Sequence, residues 1–253
     1  MDAFVGVIGW FGDPANWHGP NGIPARLLEH VVMSGLAIGI ALLIAFPVGL
    51  YIGHTGRGAF LAVSLANIGR AVPSYAVLVI VFPLSIAVDR ATGLGDIAFV
   101  GTLLAMILLA IPPIVTNTFA GMRAVDADLV EAGRGMGMRG MQVLRRVELP
   151  VASPVILAGM RTAAVQVVAT ATLGAVIGGG GLGRFIVQGI ARFDHERLVA
   201  GALMVALLAI ATELFFSWLQ RRAVSPGLSG RAIRAYDNVG EVGRVDVPGV
   251  GAA

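Results

Sequence analysis

Four stretches of this chain are long and apolar enough to cross a lipid bilayer as helices: Val31 to Gly53, Ile97 to Phe119, a stretch ending near Ile177, and Leu198 to Leu219. A crossing needs roughly 20 such residues. No other feature limits the fold as strongly. Hydrocarbon offers a backbone N–H or C=O no partner, so a run of this length satisfies its own polar groups only as an α-helix. The expected fold class is all-α and integral to a membrane. A composition of 57% hydrophobic and 13% charged residues, with a mean hydropathy of +0.84, agrees, since a soluble domain of that make-up would not stay dispersed.

A fifth region, 59–88, spans 30 residues and is too long for one upright helix. Proline lacks the N–H a helix needs, so a break is expected at Arg70-Ala71-Val72-Pro73-Ser74. Read as one broken span, the region brings the total to five, and two short helices would bring it to six. Residues 1–30 are expected to form an external segment, whose first 24 residues read as a turn-rich loop. Residues 31–220 form the transmembrane domain, with a polar loop at 126–150, and residues 221–253 read as a flexible cytoplasmic tail. No signal-peptide n-region or cleavage site precedes the first span, which is therefore expected to be retained.

Arginine placement gives the orientation. With the N-terminus outside, the cytoplasm holds eleven arginines (57, 123, 134, 139, 145, 146, 221, 222, 231, 234 and 244) and the outside five (26, 90, 184, 192 and 197). The 126–150 loop is then cytoplasmic. Trp10 and Trp17 on one side, and Trp218 on the other, read as interfacial anchors.

Several functions are excluded or disfavoured. The chain has no lysine, so it has no P-loop of its own, and any ATP it depends on is hydrolysed elsewhere. It has no cysteine, and its four histidines fall in no metal-ligand spacing, so neither a metal nor a catalytic residue is expected. No basic patch with interleaved aromatics suggests nucleic acid. Gly135-x-Gly137-x-x-Gly140 and Gly178-x-Gly180-x-x-Gly183 match the dinucleotide fingerprint but follow no strand. The second reads better as an external turn ending a span.

Within the polar loop, Asp128 and Glu131 have capping-box spacing and predict a helix from about Leu129. Gly133, Gly135 and Gly137 then weaken it and let the backbone turn. Met141, Leu144 and Val147 predict a second helix, with Arg139, Arg145 and Arg146 on its other faces, that ends at Leu149-Pro150. The residues Glu131-Ala132-Gly133-x-x-x-Gly137-x9-Val147-x-Leu149-Pro150 resemble the E-A-A-x-x-x-G-x9-I-x-L-P loop of ABC importer permeases, with Gly133 where the pattern prefers alanine. The run from Asn117-Thr118-Phe119 to Arg161-Thr162-Ala163 looks like the osmoprotectant branch, and the likeness extends from about Val31 to Leu219.

The resemblance implies a type I ABC importer permease fold in the cytoplasmic membrane. It also implies that the loop docks on cytoplasmic ABC ATPase subunits, which bind ATP and Mg in place of any cofactor in this chain. A second permease subunit, identical or homologous, and an extracytoplasmic substrate-binding protein are the other implied partners. The implied cargo is a quaternary ammonium osmoprotectant such as glycine betaine or choline. A methionine-type amino-acid importer permease shares the loop and is the nearest alternative. An ion-coupled secondary transporter and a membrane-embedded enzyme are alternatives of other classes, and the spans show neither paired carboxylates nor a nucleophile for them.

Polar residues within the spans are the remaining site candidates. The break at Pro73 frees backbone groups that are tolerated where they line a cavity, so Arg70, Pro73, Ser74 and Tyr75 are expected near the translocation path, with Asn117 and Thr170. Arg161 is expected near the cytoplasmic interface, and Glu213 in a pair with an arginine of another helix. The small residues Ala163-Ala164, Ala169-Thr170-Ala171-Thr172 and Gly174-Ala175 are expected to meet the second permease.

Overall fold

A computed structural model describes residues 2–60, 64, 67, 69, 71–93 and 95–224. Among these every regular element is helical. The chain opens with helix α1 (Asp2–Gly12), where a turn-rich loop was expected. Val7, Trp10 and Phe11 recur at helical spacing and pack with Ile23, Leu182, Phe185 and Ala200. Trp10 is buried, its ring edge-on to Phe185 at 5.5 Å, so it holds α1 in place and is no interfacial anchor. Trp17 is half exposed and donates its indole N–H to the Phe11 carbonyl at 2.7 Å.

Helix α2 (Ile23–Thr55) begins eight residues before the expected Val31. Pro24 sits in its first turn, where a missing N–H breaks no bond and the fixed φ suits a helix. Gly56 ends it with φ +71°, its N–H on the Ile52 carbonyl at 2.8 Å. Helix α3 (Ser74–Thr92) follows Pro73, so the chain breaks where expected, and among the described residues the second span runs from Ser74. Helix α4 (Ile97–Arg123) returns the chain and is capped by Asp96, whose carboxylate accepts the Phe99 N–H at 2.8 Å.

After the polar loop come α6 (Gly140–Val143), a π-helical turn (Leu144–Glu148), α7 (Leu149–Ala171) and a 3-10 stretch (Thr172–Ile177), which together make one crossing segment of 38 residues. Helix α8 (Gly183–Arg192) is short, and α9 (His195–Ala223) is the last crossing segment among the described residues, running three residues past the expected end at 220. Residues 225–253 lie outside the described ones. Five helical segments among the described residues meet the length and composition of a membrane span.

The core forms where α2, α4 and α7 meet. Met33, Ala37, Ala41, Ala45, Gly49 and Gly53 recur every four residues along α2, and this narrow small-residue stripe lets α4 approach closely. A methyl group on Gly49 would lie 2.7 Å from Thr118 Cβ. Of the small residues expected to meet a second permease, Ala163, Ala164, Ala171, Gly174 and Ala175 are buried inside the chain, Thr170 and Thr172 are partly buried and Ala169 is exposed. Small residues in a span serve any close helix pair, and here the pair lies within one subunit. Arg161 on α7 and Glu213 on α9 form the expected ion pair at 3.3 Å. The Arg222 guanidinium lies 5.3 Å from the Trp218 ring centroid, near the end of α9.

Filling the α2–α4 contact will loosen this core. Gly49→Leu is expected to lower stability by about 1–3 kcal/mol, the usual range for overpacking, read as an earlier thermal unfolding midpoint in detergent than wild type.

Candidate functional site

The 126–150 loop folds as two short helices joined by a glycine turn. Its first helix, α5 (Ala127–Gly135), starts two residues earlier than expected because Asp126, not Asp128, is the cap: the Asp126 carboxylate accepts the Asp128 N–H at 3.0 Å. Gly133 is the buried residue of α5, while Glu131 and Ala132 face outward. A Cβ added at Gly133 would sit 3.6 Å from Val147 Cγ2 and 3.7 Å from Val143 Cγ2, which is ordinary contact. The departure from alanine at this position therefore has no steric cause.

Gly137 makes the turn. Its φ of +82° lies in the left-handed region that side chains disfavour, and its N–H bonds the Arg134 carbonyl at 2.9 Å. Helix α6 then starts at Gly140, where the Arg139 N–H donates to Gln142 Oε1 at 2.8 Å. Val143 is fully buried and Val147 half-buried, and both reach Gly133, so the two helices close on one another through these side chains.

Leu149-Pro150 does not end the second helix, as had been expected. The π turn widens the helix just ahead of the proline, and the Leu149 N–H reaches back five residues to the Leu144 carbonyl. Pro150 then continues into α7 with its missing N–H accommodated. The second half of the loop is thus helically continuous with a membrane span.

A contact the sequence did not signal joins the loop to α2. His54, in the last turn of α2, meets Glu148 of the π turn through Nδ1 and Oε2 at 2.5 Å, and the Glu148 side chain is only 8% exposed. These residues are 94 apart in sequence, with no local pattern to connect them. Elsewhere in the loop, Leu129 (43% exposed), Met136 (73%) and Met141 (57%) are open to the surroundings, as are Arg134, Arg139 and Arg145. Exposed apolar side chains mixed with charge along one short loop are suited to a protein partner.

Five of the six expected path residues are among those described. Arg70 lies outside the described residues. Pro73 caps α3, Ser74 begins it, and Tyr75 is half exposed. Asn117 donates Nδ2–H to the Pro113 carbonyl of its own helix at 2.8 Å and packs over Gly159, so it serves the α4–α7 contact. Thr170 is half-buried on α7. Among the described residues no group of three or more His, Asp or Glu could hold a metal ion.

A model of the family described as binding-protein-dependent transport system inner membrane component matches residues 34–225. The chain belongs to this family. It is a multi-pass protein of the cytoplasmic membrane and a transport component. The glycine betaine/carnitine/choline transport system permease protein OpuCB of Bacillus subtilis (strain 168) is 33% identical over 202 residues, covering 80% of this chain and 88% of its own. The osmoprotectant import permease protein OsmW of Salmonella typhimurium is 38% identical over 194 residues, 77% of this chain and 86% of its own. Among solved structures, an inward-facing MetNI methionine ABC transporter aligns with a TM-score of 0.70 at 21% identity, covering 80% of this chain and 96% of that one. That likeness establishes the type I importer permease fold and nothing about cargo.

The two loop glycines will respond oppositely to alanine. Gly133→Ala is expected to leave assembly intact and stabilise α5 by about 0.5–1 kcal/mol. Gly137→Ala, forced into a left-handed backbone, is expected to cost about 1–2 kcal/mol. Hydrogen exchange across 126–140 in detergent checks both, with protection rising in the first variant and falling in the second.

Proposed function

We propose that this chain is the permease subunit of an ATP-driven importer of quaternary ammonium osmoprotectants such as glycine betaine or choline. Two observations support the reading: the names of the relatives at 33–38% identity, and the geometry of the 126–150 loop. The loop presents Leu129, Met136, Met141 and their arginines outward, while Glu148 and the continuous α6–α7 segment tie it to the spans. In this reading Glu131, Ala132, Gly133, Gly137, Val147, Leu149 and Pro150 form the coupling element. It docks on cytoplasmic ABC ATPase subunits, which bind ATP and Mg and supply the free energy. A second permease subunit completes the pore, and an extracytoplasmic binding protein delivers the cargo.

The cytoplasmic face is the one carrying the eleven arginines, as positive charge placement requires. The methionine-type alternative rests on fold likeness at 20–22% identity, against relatives named for quaternary ammonium compounds, and is not favoured.

Proteoliposomes holding this chain with its co-purified subunits are expected to take up radiolabelled glycine betaine or choline only when ATP is supplied. Gly137→Asp is expected to abolish that uptake while the spans still assemble, judged by co-purification and gel filtration. Uptake without ATP would sink the proposal, and ATP-driven uptake of other solutes alone would leave the architecture and remove the cargo.

A further inference from the structure

At the end of the molecule opposite the arginine-rich loop, the first turns of α2, the start of α4, the glycine turn 178–182 and the first turn of α8 enclose a cavity of about 490 Å³. That is within the size range of small-molecule sites. Its walls carry Arg26, Glu29, Asp96, Phe99, Gly180 and Arg184.

Two of these charges are already used. Arg26 donates to Glu29 at 2.7 Å and also to Asn21, and Glu29 accepts the Gly181 N–H at 2.9 Å as well. This pair neutralises itself and fixes the glycine turn. The other two charges are left over. Asp96 caps α4 with one carboxylate oxygen and has no cationic partner among the described residues. Arg184 has no carboxylate partner among them either, and its Nε is buried without a hydrogen-bond partner. Native structures rarely leave a buried donor unmatched without a reason.

One unpaired guanidinium and one unpaired carboxylate on the walls of a single cavity match the two ends of a betaine. We propose that this cavity is a transit site for zwitterionic quaternary ammonium compounds, and that Arg184 is its carboxylate-selecting residue. The inference rests on the importer reading above. The guanidinium fork matches a carboxylate with two parallel N–H donors. A trimethylammonium group has no N–H to donate, so it is held by counter-charge and apolar contact. Asp96 supplies the first, and Phe99, Val32 and Met33 supply the second. Choline has the ammonium end without the carboxylate, so it engages only the Asp96 side.

The test uses the reconstituted complex with saturating binding protein, comparing uptake of labelled glycine betaine with that of labelled choline. Arg184→Gln is expected to lower the betaine-to-choline uptake ratio about tenfold, the change that one charge-assisted hydrogen bond carries. Arg184→Lys is expected to restore part of the ratio. Asp96→Asn, which keeps a capping side chain at the start of α4, is expected to lower uptake of both solutes. An unchanged ratio in Arg184→Gln overturns the site. So does an equal loss of both solutes, which would mark Arg184 as a contact for the binding protein. If Arg184→Gln fails to assemble, the Asp96→Asn arm decides alone, and undiminished choline uptake there overturns the site. A wild-type complex that carries neither solute overturns the cargo reading itself, and that result is visible before any variant is compared.

Discussion

Everything in this structure follows from the need to bond every backbone polar group where no water reaches. Helices do this automatically, and the crossings are helical for that reason. Attention then falls on places where the helix is interrupted. At 178–182 the chain leaves helical geometry through Gly178 and Gly181, with φ values of +93° and +80°, and side chains of α2 take over the bonding. Glu29 accepts the Gly181 N–H. His30, fully buried, accepts the Leu182 N–H on Nδ1 at 3.2 Å and bonds the Val168 carbonyl through Nε2 at 2.9 Å. One neutral imidazole tautomer satisfies both contacts, so the histidine sits there as a two-ended joint.

That joint has a counterpart at the other end of α2, where His54 meets Glu148. Helix α2 and the 38-residue segment Gly140–Ile177 are therefore fastened together at both ends, with the small-residue stripe and α4 filling the space between. Such contacts at both ends oppose relative movement of the two elements. In the proposed importer, a push delivered at α5 and α6 is carried to the far end of the bundle without depending on any single flexible link. The π turn matters for the same reason: it lets Pro150 sit inside a continuous helix, where an ordinary α-helical register would have kinked.

How much of this could be read from the sequence depends on the range of the interaction. The crossings, the break at Pro73 and the glycine turn after Ile177 are local and were legible. Errors of a few residues came from local competition: Asp126 and Asp128 are both able caps, and backbone geometry chose the former. Helix α1 was missed because glycines and a following Asp-Pro obscure a short apolar period whose stabilising contacts are on α8 and α9. The continuation through Leu149-Pro150 was missed because a π turn has no composition signature. The pairing of Arg161 with Glu213 was expected in kind, since a charge in a span needs a partner, although which arginine would serve was not. The His54–Glu148 contact was beyond reach, because only the assembled bundle brings those residues together.

Arginine shows most plainly how position decides role. Arg161 sits on a crossing helix, and Glu213 from the neighbouring helix meets it. Arg26 is matched with equal care, through Glu29 and Asn21. Arg184 lines the same cavity as Arg26 and is matched by no carboxylate in the described chain. Asp96 lines that cavity too, and the two form no ion pair. Closing that pair would neutralise the cavity. Keeping it open maintains charges of opposite sign in one cavity, which suits a solute that carries both.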